Sequence, residues 1–190
     1  QDYACPSWEH ESTELTLLAP GTQQPLPAFA QTFTEACDVE AEYACVGTRE
    51  ELEFAPDLDG KVLVLCDRLG TSLAIDRNPA LLIAEERRAP AIVAVSPSET
   101  VSTKMVRDPF LRVPAAAVAQ SVGVELRRSE GGRLRLRIRA RRYDSTGHNV
   151  IGRFPGEEPG HIVVPAHYDT SAESPGATDN ASGTAVVLEL

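Results

Sequence analysis

The chain has 190 residues, 42% of them hydrophobic and 24% charged, with a formal net charge of −10 and a pI near 4.9. This length suits one domain, or one domain and a piece of a second, and the composition is ordinary for a globular protein. The acidic balance disfavours nucleic-acid binding as a global role, and no apolar run approaches the ~18 residues that a membrane-crossing helix needs.

Residues 1–35 are rich in turn signals, Pro20-Gly21 and Pro25-Leu26-Pro27, around a predicted strand at Glu14–Leu18. Val39–Val46 alternates in part and stops at Gly47, which predicts a second strand. Asp57-Leu58-Asp59-Gly60 is a turn signal, and Lys61–Cys66, K-V-L-V-L-C, reads as a buried strand. Asn78-Pro79 opens a helix, with Asn78 suited to cap it and Pro79 to its first position. Leu81, Leu82, Ala84 and Ala89 form its apolar face, opposite Glu85, Glu86, Arg87 and Arg88. Ala91–Val95 is the next buried strand, a polar loop runs from Ser96 to Asp108, and Val113-Pro114 leads into an alanine-rich segment ending at Val122. Arginine then alternates with Leu134, Leu136, Ile138 and Ala140 from Arg133 to Arg141. Period two gives one strand an apolar face and a guanidinium face. That second face would bind an anion or an acidic partner, or simply be solvated or paired with the surplus acids; the net charge favours the second reading. Cys5, Cys37, Cys45 and Cys66 permit two disulfides in three connectivities, or four buried thiols. With no C-x₂₋₄-C pair they do not read as a zinc site.

The last thirty residues carry the chemistry. Ile162–Ala166 reads as a strand buried on both faces of a parallel sheet, ending in His167-Tyr168-Asp169. A polar loop follows, and Asp179-Asn180 opens a helix. Side chains just past the carboxyl ends of parallel strands build the sites of open α/β sheets. An imidazole and a carboxylate, His167 and Asp179, suit zinc. Asp169 can take the second ring N–H of His167 and so fix its tautomer, and a carboxylate such as Asp179 can bridge two metals roughly 3.5–4 Å apart. Singly, each has a plainer reading: a structural histidine, a turn residue, a helix cap. Gly176 and Gly183 read as backbone devices, at a turn and for close helix approach. His10, His148 and His161 have no partner pattern, and no nucleophile elbow surrounds Ser182.

H-Y-D at 167–169, P-G-A-T-D-N-A-S-G-T-A at 175–185 and G-H-N-V-I-G-R-F-P-G at 147–156 together resemble the co-catalytic zinc aminopeptidases, the family of bacterial leucyl aminopeptidase and the glutamate carboxypeptidase II-like enzymes. D-L-D-G-K-V-L-V-L at 57–65 resembles the protease-associated domain inserted in many members of that family. The resemblance implies an α/β fold in three parts: an N-terminal strand and turn segment at 1–36, a β-rich protease-associated-like domain at 37–142, and, at 143–190, the first strands and helix of a doubly wound zinc-peptidase domain. It implies a zinc ligand at His167, a supporting catalytic aspartate at Asp169, a bridging ligand at Asp179 and two zinc ions in the complete enzyme. It further implies an exopeptidase acting on peptide or protein substrates, exported to the extracellular space or periplasm, and with export it favours disulfides among the four cysteines.

The family's Glu-Glu pair, whose first member is the general base, a further acidic ligand and a final histidine come later than His167, and this sequence has no counterpart to them; Glu157-Glu158 precedes His167 and sits in a Gly/Pro turn. Thr184–Leu190 carries no helix stop signal, and one partial helix cannot cover a doubly wound sheet. The expectation is therefore a portion of a longer enzyme, inactive alone, exposing or associating through Ile162, Val163, Val164, Val186, Val187 and Leu188. A non-catalytic protease-associated binding module with a peptidase remnant, and a receptor-like ectodomain, are the readings from other classes.

Overall fold

A computed structural model of the protein describes residues 1–71, 73, 78–106, 108–129, 131–157, 159–170 and 174–190. These divide into two units, Gln1–Asn149 and Val150–Leu190. In the first, β1 (Asp2–Ala19), β2 (Thr22–Leu26), β3 (Phe29–Ala30) and β4 (Cys37–Val46) are followed by α1 (Arg49–Phe54), β5 (Val62–Leu65), α2 (Asp67–Thr71) and α3 (Pro79–Glu86). Then come β6 (Ile92–Val95), β7 (Ala115–Val118), α4 (Gln120–Arg128) and β8 (Arg133–His148). The strands make one mixed sheet in the order β2-β1-β8-β4-β5-β6-β7-β3. The run β4-β5-β6-β7 is parallel, and the remaining pairs are antiparallel.

Composition explains the parallel centre. Every residue of β5, β6 and β7 is buried, as befits strands covered on both faces. Period two sends Val62, Val64, Val93 and Val118 to one face, with Leu126 of α4 and Leu134 and Leu136 of β8. It sends Leu63, Leu65, Ile92 and Ala117 to the other, with Leu52 of α1 and Leu81 of α3. The predicted cap of α3 is present: Asn78 Oδ1 accepts from Ala80 N at 2.9 Å, with Pro79 in the first turn. On β8, Leu134, Leu136 and Ile138 are buried, and the guanidinium face pairs with acids. Arg135 and Arg137 meet Asp38 at 3.0 and 3.1 Å, Arg139 meets Glu11 at 3.3 Å and Arg141 meets Glu9 at 2.7 Å.

Three expectations are corrected. The N-terminal segment is a long strand rather than mostly turns. β1 pairs with β8 from Asp2 opposite His148 to Leu18 opposite Arg133, with a bulge at Glu11, because a neighbouring ladder satisfies the backbone of polar residues that have no core to enter. Residues 1–36 thus contribute β1, β2 and β3 to the same sheet as the rest of the first unit. All four cysteines are thiols rather than a pair of disulfides. The strand registers set Cys5 opposite Ser145, Cys37 opposite Ile138 and Cys45 opposite Val64, so no cysteine has another as its direct cross-strand partner, and Cys45 and Cys66 lie only diagonally across β4 and β5.

The third correction concerns the second unit. The described residues between Val150 and Gly176 form no strand, so the expected strands at 149–153 and 162–166 are absent; a π-type turn, Ala177–Ala181, leads into α5 (Ser182–Glu189). Ile162 is 95% exposed and Val163 80%. A strand is held by a neighbour's hydrogen bonds and by cover on its faces, and the described residues of this unit supply neither to Ile162–Ala166. Only the helix of the expected strand–helix start has formed. Among the described residues no helix is long and apolar enough to cross a membrane.

Candidate functional site

The turn ahead of α5 sets the site. Gly176 takes a left-handed conformation, φ +70°, and a β carbon there would lie 2.8 Å from Thr170 Oγ1, so glycine meets both demands. Its carbonyl accepts from Ala181 N at 2.9 Å and closes the turn. Asp179 (φ −123°, ψ 83°) and Asn180 (φ −142°, ψ 40°) depart from helical geometry. The side chain that accepts from the first turn of α5 is Asn180, whose Oδ1 receives Gly183 N at 3.1 Å. The Asp179 carboxylate faces His167 instead.

His167 stands between two carboxylates. Its Nδ1 lies 3.1 Å from both the carbonyl oxygen and Oδ1 of Asp169. Its Nε2 lies 3.0 Å from Asp179 Oδ1. Thr184 Oγ1 donates to the His167 carbonyl at 3.2 Å, tying α5 to the histidine's backbone. The His167 side chain is 54% exposed and those of both aspartates 87%. The histidine's pKa is raised, first by the hydrogen bond to the Asp169 carbonyl and then, against a loss of hydration, by the Asp169 side chain and the charges of Asp179 and Asp169. With both ring nitrogens facing oxygen, the metal-free arrangement favours an imidazolium donating in two directions.

The donor chemistry fits zinc in part. Two ligands of one tetrahedral zinc, at about 2.1 Å each, stand about 3.4 Å apart. Nε2 and Asp179 Oδ1, at 3.0 Å, come close to that spacing once a proton gives way to an ion. Two donors do not complete a coordination sphere, and no group of three or more His, Cys, Asp or Glu that could hold a metal ion exists among the described residues. Thus the structure brings together the three residues singled out from sequence. The Asn180 side chain that receives Gly183 N and the tethering Thr184 were not legible as such; the only trace of them is a small polar run, N-A-S-G-T, around Gly183. Glu157 is exposed, and Glu158 lies outside the described residues. His10 hydrogen-bonds Thr13 at 2.8 Å, His148 meets Asp2 at 2.8 Å, and His161 is exposed.

Residues 149–190 match the profile of peptidase family M28. The chain is similar to aminopeptidase YwaD of Bacillus subtilis, 27% identical over 162 residues, which covers 83% of this chain and 34% of that protein. Among solved structures it is similar to an aminopeptidase from Aneurinibacillus sp. strain AM-1, with a TM-score of 0.72 at 22% identity, covering 100% of this chain and 47% of that one. It is also similar to BSAP, a zinc aminopeptidase from Bacillus subtilis, with a TM-score of 0.56 at 20% identity, covering 98% and 46%. The structural likenesses are likenesses of fold. The chain spans about a third of the curated relative and just under half of each solved structure.

Proposed function

We propose that residues 143–190 supply the first ligands of a two-zinc centre in a metallo-aminopeptidase that removes N-terminal residues from peptides. His167 and Asp179 would hold zinc, and Asp169 would orient the histidine. The observation that carries this reading is His167 held between Asp169 at 3.1 Å and Asp179 at 3.0 Å, in the segment matching peptidase family M28. Zinc, when bound, would acidify a water and polarise the scissile carbonyl. The chain's own residues do the rest of what is visible. Asp169 accepts the Nδ1 proton, which fixes the tautomer that leaves Nε2 available to a metal, and Asn180 rather than Asp179 accepts from Gly183 N, while the Asp179 carboxylate faces His167. The remaining ligands and the general base would come from residues outside these 190, in keeping with the relatives' greater length. On the same resemblance we place the first unit, in its 37–142 portion, as a protease-associated interaction module and the protein as exported.

Zinc titration of the purified chain against a chromophoric chelator tests the ligand assignment. Weak binding is expected, reduced by His167→Ala and by Asp179→Asn, and reduced about 10–100-fold by Asp169→Asn. Unchanged zinc affinity in all three variants would overturn it. Hydrolysis of an aminoacyl-nitroanilide by the 190-residue chain is expected to be undetectable; turnover that His167→Ala abolishes would refute the need for outside ligands.

A further inference from the structure

The first unit holds an open pocket of about 600 Å³ that the zinc reading does not use. It lies where the parallel strands end: Cys66 follows β5, Ser96 follows β6, and the faces of α2 and α4 form the walls. The crevice outside the carboxyl ends of parallel strands is where open α/β sheets take ligands. The wall residues combine Val95 and Val124 with three cations, Arg68, Arg127 and Arg128, in a chain whose net charge is −10. The close approach of α4 to β6 depends on Gly123, where a β carbon would lie 2.3 Å from Val95 Cγ1.

One of the lining residues is a thiol, Cys66, and a second thiol, Cys45, adjoins it. Cys45 on β4 stands opposite Val64 on β5, and Cys66, two residues beyond Val64, points to the same face. Both belong to one side of the sheet, Cys66 within the core cluster and Cys45 packed against it. The Cys45 side chain hydrogen-bonds Cys66 and holds its thiol below the ordinary range, helped by the charge and hydrogen bond of Arg127 and opposed by burial. Arg127 is itself placed by Asp67, with Nη2 2.8 Å from Oδ2. Cys37 is the internal contrast: burial pushes its thiol up to about 11.

We propose that Cys66 is a thiol–disulfide exchange site, that the pocket above it takes a small anionic disulfide, and that Cys45 is the resolving thiol. The Cys66 thiolate attacks one sulfur of the ligand. The ligand's S–S bond breaks, and the departing thiolate takes up the proton that Cys66 gave. Cys45 then attacks Cys66 Sγ and gives its proton to the second departing thiol. One disulfide is reduced to two thiols, and two protein thiols are oxidised to a Cys45–Cys66 bond. The arginines serve the anionic groups of the ligand, and Arg127 also supports the thiolate.

The test is timed exposure of the reduced 190-residue chain to oxidised glutathione, and in parallel to the neutral hydroxyethyl disulfide, with acid quenching, intact mass and peptide mapping. In the native chain Cys66 should react before Cys5 and Cys37, and the product should be a Cys45–Cys66 crosslink. Cys45→Ser should halt at a mixed disulfide on Cys66. Arg127→Gln should slow the reaction with oxidised glutathione severalfold, through the loss of thiolate support and of a cation facing the ligand, and should slow the neutral disulfide less. First reaction at Cys5 or Cys37 in the native chain overturns the proposal without recourse to any variant. A Cys45→Ser chain that behaves like the native one overturns the resolving role, and equal rates for the two disulfides overturn the anionic ligand.

Discussion

Gly183 shows how tightly the site's small residues are constrained. A β carbon there would lie 2.3 Å from Asn180 Oδ1, the atom that accepts from Gly183 N. Gly183→Ala should drive the Asn180 side chain off its bond with Gly183 N, a loss of about 1 kcal/mol that alanine's better helix propensity offsets in part. The far-UV helical signal of the variant should therefore fall short of what the same substitution gives in an unconstrained helix. Asp38 gives a pH-dependent counterpart. Hydrogen bonds from Arg135 first and Arg137 next hold its carboxyl below its ordinary 3.8. A lowered folded-state pKa means that the stabilisation is present above the ordinary value and disappears as pH falls through the lower one. The melting-temperature advantage of the native chain over Asp38→Asn should therefore be small but measurable at neutral pH and vanish in strong acid. At this scale the approach of His167 to Asp179 was legible through the resemblance carried by H-Y-D and D-N-A-S-G. The division of labour between Asp179 and Asn180 was not, because either side chain suits a helix start and only the turn's dihedral angles decide between them.

Among the elements, the same close packing governs how helices seat on the parallel strands. A β carbon on Gly70 of α2 would lie 2.4 Å from the Val95 carbonyl oxygen and 2.9 Å from that of Leu65. Neither backbone atom can swing aside, so Gly70→Ala should destabilise the first unit by about 1–3 kcal/mol, lowering its midpoint in thermal denaturation. Strands β5 and β6 could be read directly from the sequence, since four consecutive apolar residues bounded by turns leave little alternative. α1, with its capping box of Thr48 and Glu51, is not among the elements expected from the sequence. Nor is the outer half of β1: its residues are polar and exposed, and β8 alone makes them a strand. Ile162–Ala166 failed in the opposite sense. Its sequence suits a buried strand, yet a strand is a property of two chains of backbone, and the described residues offer no neighbour to pair with it.

For the whole molecule, the two hydrophobic clusters lie entirely within Leu15–Ile138, so the first unit holds its own core. Residues 1–149 alone should retain a cooperative unfolding transition, and limited proteolysis of the full chain should consume 150–190 first. Val150, Phe154, Ile162, Val163 and Leu188 are exposed, so the full chain should bind a hydrophobic dye or self-associate in sedimentation, and the 1–149 fragment should do less of either. If both behave alike, those side chains are not a sticky surface. The pairing of β1 with β8 also brings two remote points of the chain into register: the Gln1 amino group reaches the Asn149 carbonyl at 2.7 Å, and Asn149 N reaches the Gln1 carbonyl at 2.8 Å. A fold whose entry and exit coincide in this way has the form of a cassette. It can be spliced into a surface loop of a host, or have its own ends fused and be reopened elsewhere, without straining either partner's backbone.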